Sequence, residues 1–188
     1  MSTKCLSPLP DEALLDYWIG AIPAGEAERI EEHIFACDDC SARLEAMASL
    51  GAGLAAVVRR GHIAGVVPRA LMNRIQRDGV QVRLFSVLPG ERVPCAAFPG
   101  DDLLVLALRG DFSKAQSVNV ALTDADNVLI GESTDVPIRR GEMEILWATP
   151  GDLVRQMPSA RMRVTLSSAP GAEVLAQYEL DHTSLAVE

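Results

Sequence analysis

The apolar residues of this 188-residue chain change their spacing once, near Gly79. Before that point they recur every three or four positions, the period of a helix with one buried stripe. Leu14, Leu15, Trp18 and Ile19 form one such set. Ala27, Ile30 and Ile34 form a second, opposed by Glu28, Glu31 and Glu32. After Gly79 the apolar residues fall in short, strand-like runs. These are Val80–Ser86, Leu103–Leu108, Val118–Thr123, Val128–Gly131, Met143–Ala148, Arg161–Ser167 and Val174–Leu180, divided by turns such as Pro89-Gly90, Pro99-Gly100, Pro150-Gly151 and Pro170-Gly171. Two periods in succession predict two differently built parts, an α+β chain of two domains. A small helical bundle is expected over residues 1–60, a linker carrying an amphipathic fourth helix over 61–79, and an all-β domain over 80–188. Seven short strands without a helical interval predict an antiparallel β-sandwich or barrel for the last part.

The helical part is punctuated at its expected joints. Pro10-Asp11-Glu12 places a proline and two acids where free N–H groups and the helix dipole favour them. Gly20 and Pro23 end that helix. A second runs from about Ala24 to Ala36, and Asp38-Asp39 opens a third containing Leu44, Met47 and Ala48. Pro68–Arg77 reads as the fourth, with Leu71, Met72 and Ile75 apolar and Arg69, Arg74 and Arg77 basic. No stretch approaches the roughly 20 apolar residues of a membrane span. Met1–Pro10 has no apolar leader segment, so the chain is expected in the cytoplasm, where thiols stay reduced.

Charge narrows the partner. Residues 1–50 hold three basic and ten acidic side chains, residues 51–80 five basic and one acidic, and the whole chain carries a formal charge of −9. An acidic helical domain repels phosphate backbones and suits a partner with a basic surface. The basic stretch from Arg59 to Arg77 does not outweigh it, and no direct contact with nucleic acid is expected.

Three of the four cysteines lie in the first 40 residues, beside a histidine. His33, Cys37 and Cys40 form H-x3-C-x2-C. Zinc takes imidazole nitrogen and thiolate sulfur in a tetrahedron, at about 2.0–2.1 Å and about 2.3 Å. His33 and Cys37, four apart, share one helix face. The two residues between Cys37 and Cys40 let both sulfurs turn inward as one helix gives way to the next. A fourth corner is left over. Cys5, on a proline-containing arm, is the first candidate for it, and Asp11, Glu12 and a water molecule are the others. A closed set of four would be structural, an open one catalytic.

Over about residues 5–78 the sequence resembles the zinc-binding anti-sigma factor family. The likeness rests on the upstream cysteine, the acidic opening helix Pro10–Tyr17, Gly20-Ala21-Ile22-Pro23, the helix Glu26–Ile34 and the Cys37/Cys40 pair. It implies a three-helix Zn2+ bundle with a fourth helix on a flexible link. It implies that His33, Cys37 and Cys40 are ligands and that Cys5 takes the looser upstream place. It also implies a function: regulating transcription by binding and inhibiting an extracytoplasmic-function sigma factor, in a 1:1 heterodimer. Release by oxidation of the zinc thiolates is a property of some members. The fourth helix would then set Leu71, Met72 and Ile75 on the sigma factor, the alternative being that they cover the chain's own β domain. Leu14, Trp18, Ile19 and Met47 are candidate groove contacts whose other reading is bundle core, the favoured one for Leu14 and Trp18.

The rival classes have less support. No HExxH, GxSxG or GxxxxGK is present, so an enzyme is not expected. A zinc-stabilised interaction module unrelated to sigma factors is the alternative reading. The β region holds one histidine and one cysteine, His182 and Cys95, read as a surface residue and a buried thiol. No second metal is expected there.

Overall fold

A computed structural model describes residues 5, 7–59, 64–139 and 141–185. It is an α+β chain, with helices first and a strand-rich region after them. It divides into two compact units, one built on four helices and one on nine strands and a short helix.

In the helical unit, α1 (Asp11–Ile19) follows Pro10, with Asp11 and Glu12 in its first turn. It stops at Gly20, whose φ of 75° lies in the left-handed region that glycine enters without penalty. The Gly20 and Ala21 N–H groups then close back onto the carbonyls of Tyr17 and Asp16. Pro23 begins α2 (Ala24–Ala36), and α3 (Asp38–Arg59) follows after the single residue Cys37. Leu14, Ile19, Ile30 and Cys40 are buried between these helices. Gly51 lets α3 pass beside Trp18, because a Cβ there would lie 2.2 Å from the indole ring. The last helix of the unit, α4 (Arg69–Arg77), meets α1 through Arg74. Its guanidinium stands 5.0 Å over the Trp18 ring and donates to the Trp18 carbonyl. Among the described residues, no helix is long and apolar enough to cross a membrane.

The strand unit holds two sheets. The first contains β1 (Gly65–Val67), β2 (Val82–Val87), β4 (Leu103–Arg109) and β7 (Glu144–Pro150), in the order β1-β7-β4-β2. The second contains β3 (Arg92–Cys95), β5 (Ser117–Asp124), β6 (Leu129–Pro137), β8 (Ala160–Ala169) and β9 (Val174–His182), in the order β3-β9-β8-β5-β6. All seven runs read from the sequence are strands. The expectation of purely antiparallel sheets is corrected, since β2 pairs with β4 and β3 with β9 in parallel. The cause is topological. Strand β3 belongs to the second sheet, so the chain leaves the first sheet after β2 and re-enters it at β4 running the same way.

The two sheets share one core. Val87, Leu106, Leu108, Ile145 and Trp147 come from the first, and Val118, Val120, Val164, Leu166, Tyr178 and Leu180 from the second. Tyr178 takes its hydroxyl into this core and donates to the Arg109 carbonyl at 2.8 Å. Residues Leu103–Leu108 are buried without alternation, because β4 is covered on both sides. Leu104 on its far side packs with Ala97 and with Val154 of α5 (Gly151–Gln156), a helix not expected from the sequence.

A loop clasp fixes α5. The Gly151 N–H donates to the Asp102 carbonyl at 2.8 Å, and Arg155 reaches the Phe98 and Asp101 carbonyls at 2.8 and 3.1 Å. Burial alone would raise the pKa of Asp101. The Arg83 guanidinium at 2.6 Å and the Phe98 N–H at 2.7 Å outweigh burial and hold its carboxyl below the ordinary value. A Cβ at position 151 would lie 2.0 Å from the Asp101 carbonyl oxygen. Gly151→Ala is therefore expected to destabilise the strand unit by about 1–3 kcal/mol through overpacking. Urea unfolding followed by Trp147 fluorescence measures this, and an unshifted midpoint would show that the loop yields at no cost.

Candidate metal centre

The four sequence-selected donors come together. Cys5, His33, Cys37 and Cys40 each offer one ligand atom, and those atoms all lie within 4.8 Å of one another. His33 projects from α2 one turn before its end. Cys37 is the residue between α2 and α3, and Cys40 lies in the first turn of α3. The histidine presents Nε2, which lies 3.7 Å from the Cys5 sulfur and 3.3 Å from the Cys40 sulfur. In a zinc tetrahedron with the bond lengths above, donor atoms sit roughly 3.6–3.8 Å apart. The observed spacings are close to that, and three thiols with one imidazole form a donor set that zinc favours.

Local structure explains why the cluster forms. Cys37 has extended backbone (φ −134°, ψ 102°), which ends α2 and puts its side chain at the open N-terminus of α3. There the backbone N–H of Cys40 points at the Cys37 sulfur. This bond, with a second from Cys5, lowers the Cys37 thiol pKa below its usual value. The Cys5 thiol moves the other way, raised by its hydrogen bond to Cys37 and by burial. The two shifts have opposite sign because Cys5 is the hydrogen-bond donor of the pair and Cys37 the acceptor.

Cys5 lies outside any helix, so its position depends on the arm that carries it. Its own N–H donates to Asp39 Oδ2 at 2.8 Å. Arg43, one turn beyond Cys40, donates to the Leu9 carbonyl at 2.8 Å, pairs with Asp11 and lies 3.9 Å from the Cys40 sulfur. Arg43 therefore fastens the arm and puts a positive charge beside the thiols. Asp39 and Arg43 escape a sequence reading because their partners lie more than 30 residues away. Asp11, an alternative fourth ligand, is engaged by Arg43 instead. Glu12 is exposed in the first turn of α1.

The candidate contact residues divide. Leu14 and Ile19 of α1 and Met72 of α4 are buried. Trp18, Met47, Leu71 and Ile75 are half-buried. Among the described residues, the most exposed large apolar side chain is one that the sequence reading passed over: Phe35 of α2 is 90% exposed. It follows Glu28, Glu31 and Glu32 by seven, four and three positions, on the polar face of α2, where an aromatic breaks the pattern. That break was the available signal.

No family model and no curated protein matches this chain. Among solved structures, the N-terminal domain of phage TP901-1 ORF48 is similar over 55% of this chain and 98% of its own length, at 6% identity and a TM-score of 0.33.

Protein purified under reducing conditions is expected to carry about one zinc per chain, and Cys37→Ser to lose it. Arg43→Ala, which leaves every donor in place, is expected to weaken zinc about 10-fold or more in chelator competition. A folded wild-type chain that takes up no zinc would refute the site.

Proposed function

We propose that this protein is a zinc-held anti-sigma factor. In this reading it binds an extracytoplasmic-function sigma factor one to one in the cytoplasm and keeps it from RNA polymerase, thereby regulating transcription. The reading is supported above all by the convergence of Cys5 with His33, Cys37 and Cys40, which completes the donor set that the sequence resemblance requires. Four protein donors leave no open coordination position for a water. The ion then serves structure rather than hydrolysis, and the module acts by binding.

The physical logic follows from size. A domain this small gains firmness from a metal. Zinc would join the N-terminal arm, the end of α2 and the start of α3 at one point. The acidic charge of residues 1–50 suits a basic protein surface. On α4, Leu71 and Ile75 are half-buried and Met72 is buried, so the first two are the contact candidates on that helix. The two sheets, closed on one core, we read as a β-sandwich appended to this module.

Phe35 favours a second reading, a zinc-stabilised interaction module whose partner is not a sigma factor. A fully exposed aromatic on a helix is a contact residue for any partner with an apolar pocket.

Replacing Leu71 and Ile75 together by Asp is expected to abolish co-elution with the sigma factor in gel filtration while the zinc content stays at the wild-type value. Undiminished binding would remove α4 from the interface, and no binding by the wild type to any extracytoplasmic-function sigma factor would favour the second reading. If thiol oxidation triggers release, diamide will draw two electrons from a pair of the thiolates, join them as a disulfide and free the zinc. A chromogenic zinc indicator reports that step, and zinc retained after diamide would show that release has another trigger.

A further inference from the structure

Two buried residues of the strand unit are register partners, and one of them has an unmet bonding capacity. Cys95 ends β3 and His182 lies at the end of β9, and they are directly paired across the parallel ladder. Each is only 4% exposed. The alternation of a strand sends both toward the core and sends their neighbours Pro94 and Asp181 to the opposite face. The surface position expected for His182 is thereby corrected. Its Nε2 lies 3.4 Å from the Met157 carbonyl oxygen. A carbonyl only accepts, so Nε2 carries a proton in this contact. Its Nδ1 is buried and has no hydrogen-bond partner among the described residues. A buried ring nitrogen without a partner marks a missing one.

The surroundings are soft. Cys95, the register partner of His182, has its thiol pushed up to about 11 by burial with the Asp181 charge adding to it. Met162, also buried, lies on β8, which pairs with β9 at this end, Ala160 opposite His182. Met157 packs against the same core.

We propose that Cys95 and His182 form a second metal site, selective for a soft monovalent ion of the Cu(I) class. On binding, the Cys95 S–H bond breaks, its proton leaves to solvent and a sulfur–copper bond forms, with no electron transferred. One thiolate cancels one positive charge and a neutral imidazole adds none, so the filled site is neutral and can stay buried. Zn2+ in the same place would leave net positive charge in an apolar core and lack two ligands. Thiolate and thioether donors select Cu(I), which accepts a linear pair of ligands. The strand unit would thus have a ligand of its own, whatever the helical unit binds.

The test uses the full chain with Cys5, Cys37 and Cys40 replaced by Ser, so that the N-terminal thiols do not compete. Anaerobic Cu(I) is titrated against bicinchoninate and copper per chain is counted. The expected result is about one Cu(I) per chain, falling at least about 10-fold in Cys95→Ala and in His182→Leu. No uptake by the triple-Ser chain, its strand unit folded by circular dichroism, would overturn the site, as would uptake that survives both further substitutions. Should the triple-Ser chain fail to fold, the count is taken as wild type minus Cys95→Ala, both zinc-loaded. A difference of one supports the site and equal counts overturn it.

Discussion

The helical unit turns on the single residue between α2 and α3. Cys37 cannot continue α2, because its backbone is extended, and it stands ahead of the free N–H groups of α3. A side chain in that place collects hydrogen bonds from the first turn of the next helix, and a thiol there is biased toward its charged form. The same kink brings His33, one turn back, and Cys40, three residues on, to one point. Everything else at the cluster closes around that junction. Asp39 and Arg43, both in the first two turns of α3, hold the arm that carries Cys5. The third thiol is thus positioned by the two elements that already carry the rest.

The strand unit follows a different logic. Its stability rests on large inward side chains from both sheets, Trp147, Tyr178 and Phe112 the bulkiest of those fully buried. The polar groups that enter are mostly satisfied. Tyr178 finds the Arg109 carbonyl, and Trp147 Nε1 finds Thr149 Oγ1 at 3.1 Å. Asp101 is held by Arg83 and a backbone N–H. Against that background the unmatched Nδ1 of His182 stands out, since such groups are rarely left without a partner.

How much was legible in the sequence depended on length and on locality. Strand β5 announced itself because one side is wet and the other dry, the condition under which alternation is a signal. The three-residue β1, the six-residue α5 and the Pro94-containing β3 are too short, or too contrary to propensity, to show a period. Parallel pairing was invisible because it depends on which sheet the intervening strand joins. At the cluster, His33, Cys37 and Cys40 were readable from spacing alone, whereas Cys5 needed a fold-back over 28 residues that spacing does not specify. His182 was misplaced by residue type. Tyr178, Leu180 and His182 step by two along β9, and that period pointed inward all along.

The route of the chain through α4 has a mechanical consequence. Strands β1 and β2 are the opposite edges of one sheet, and the only chain between them is the segment that contains α4. That helix nevertheless groups with the N-terminal helices. It is therefore no free tail but a tether with both ends anchored, and an anchored segment has less conformational entropy to lose on docking than a dangling one. The helical unit is also discontinuous in sequence, so a chain ended at residue 60 would lack its fourth helix.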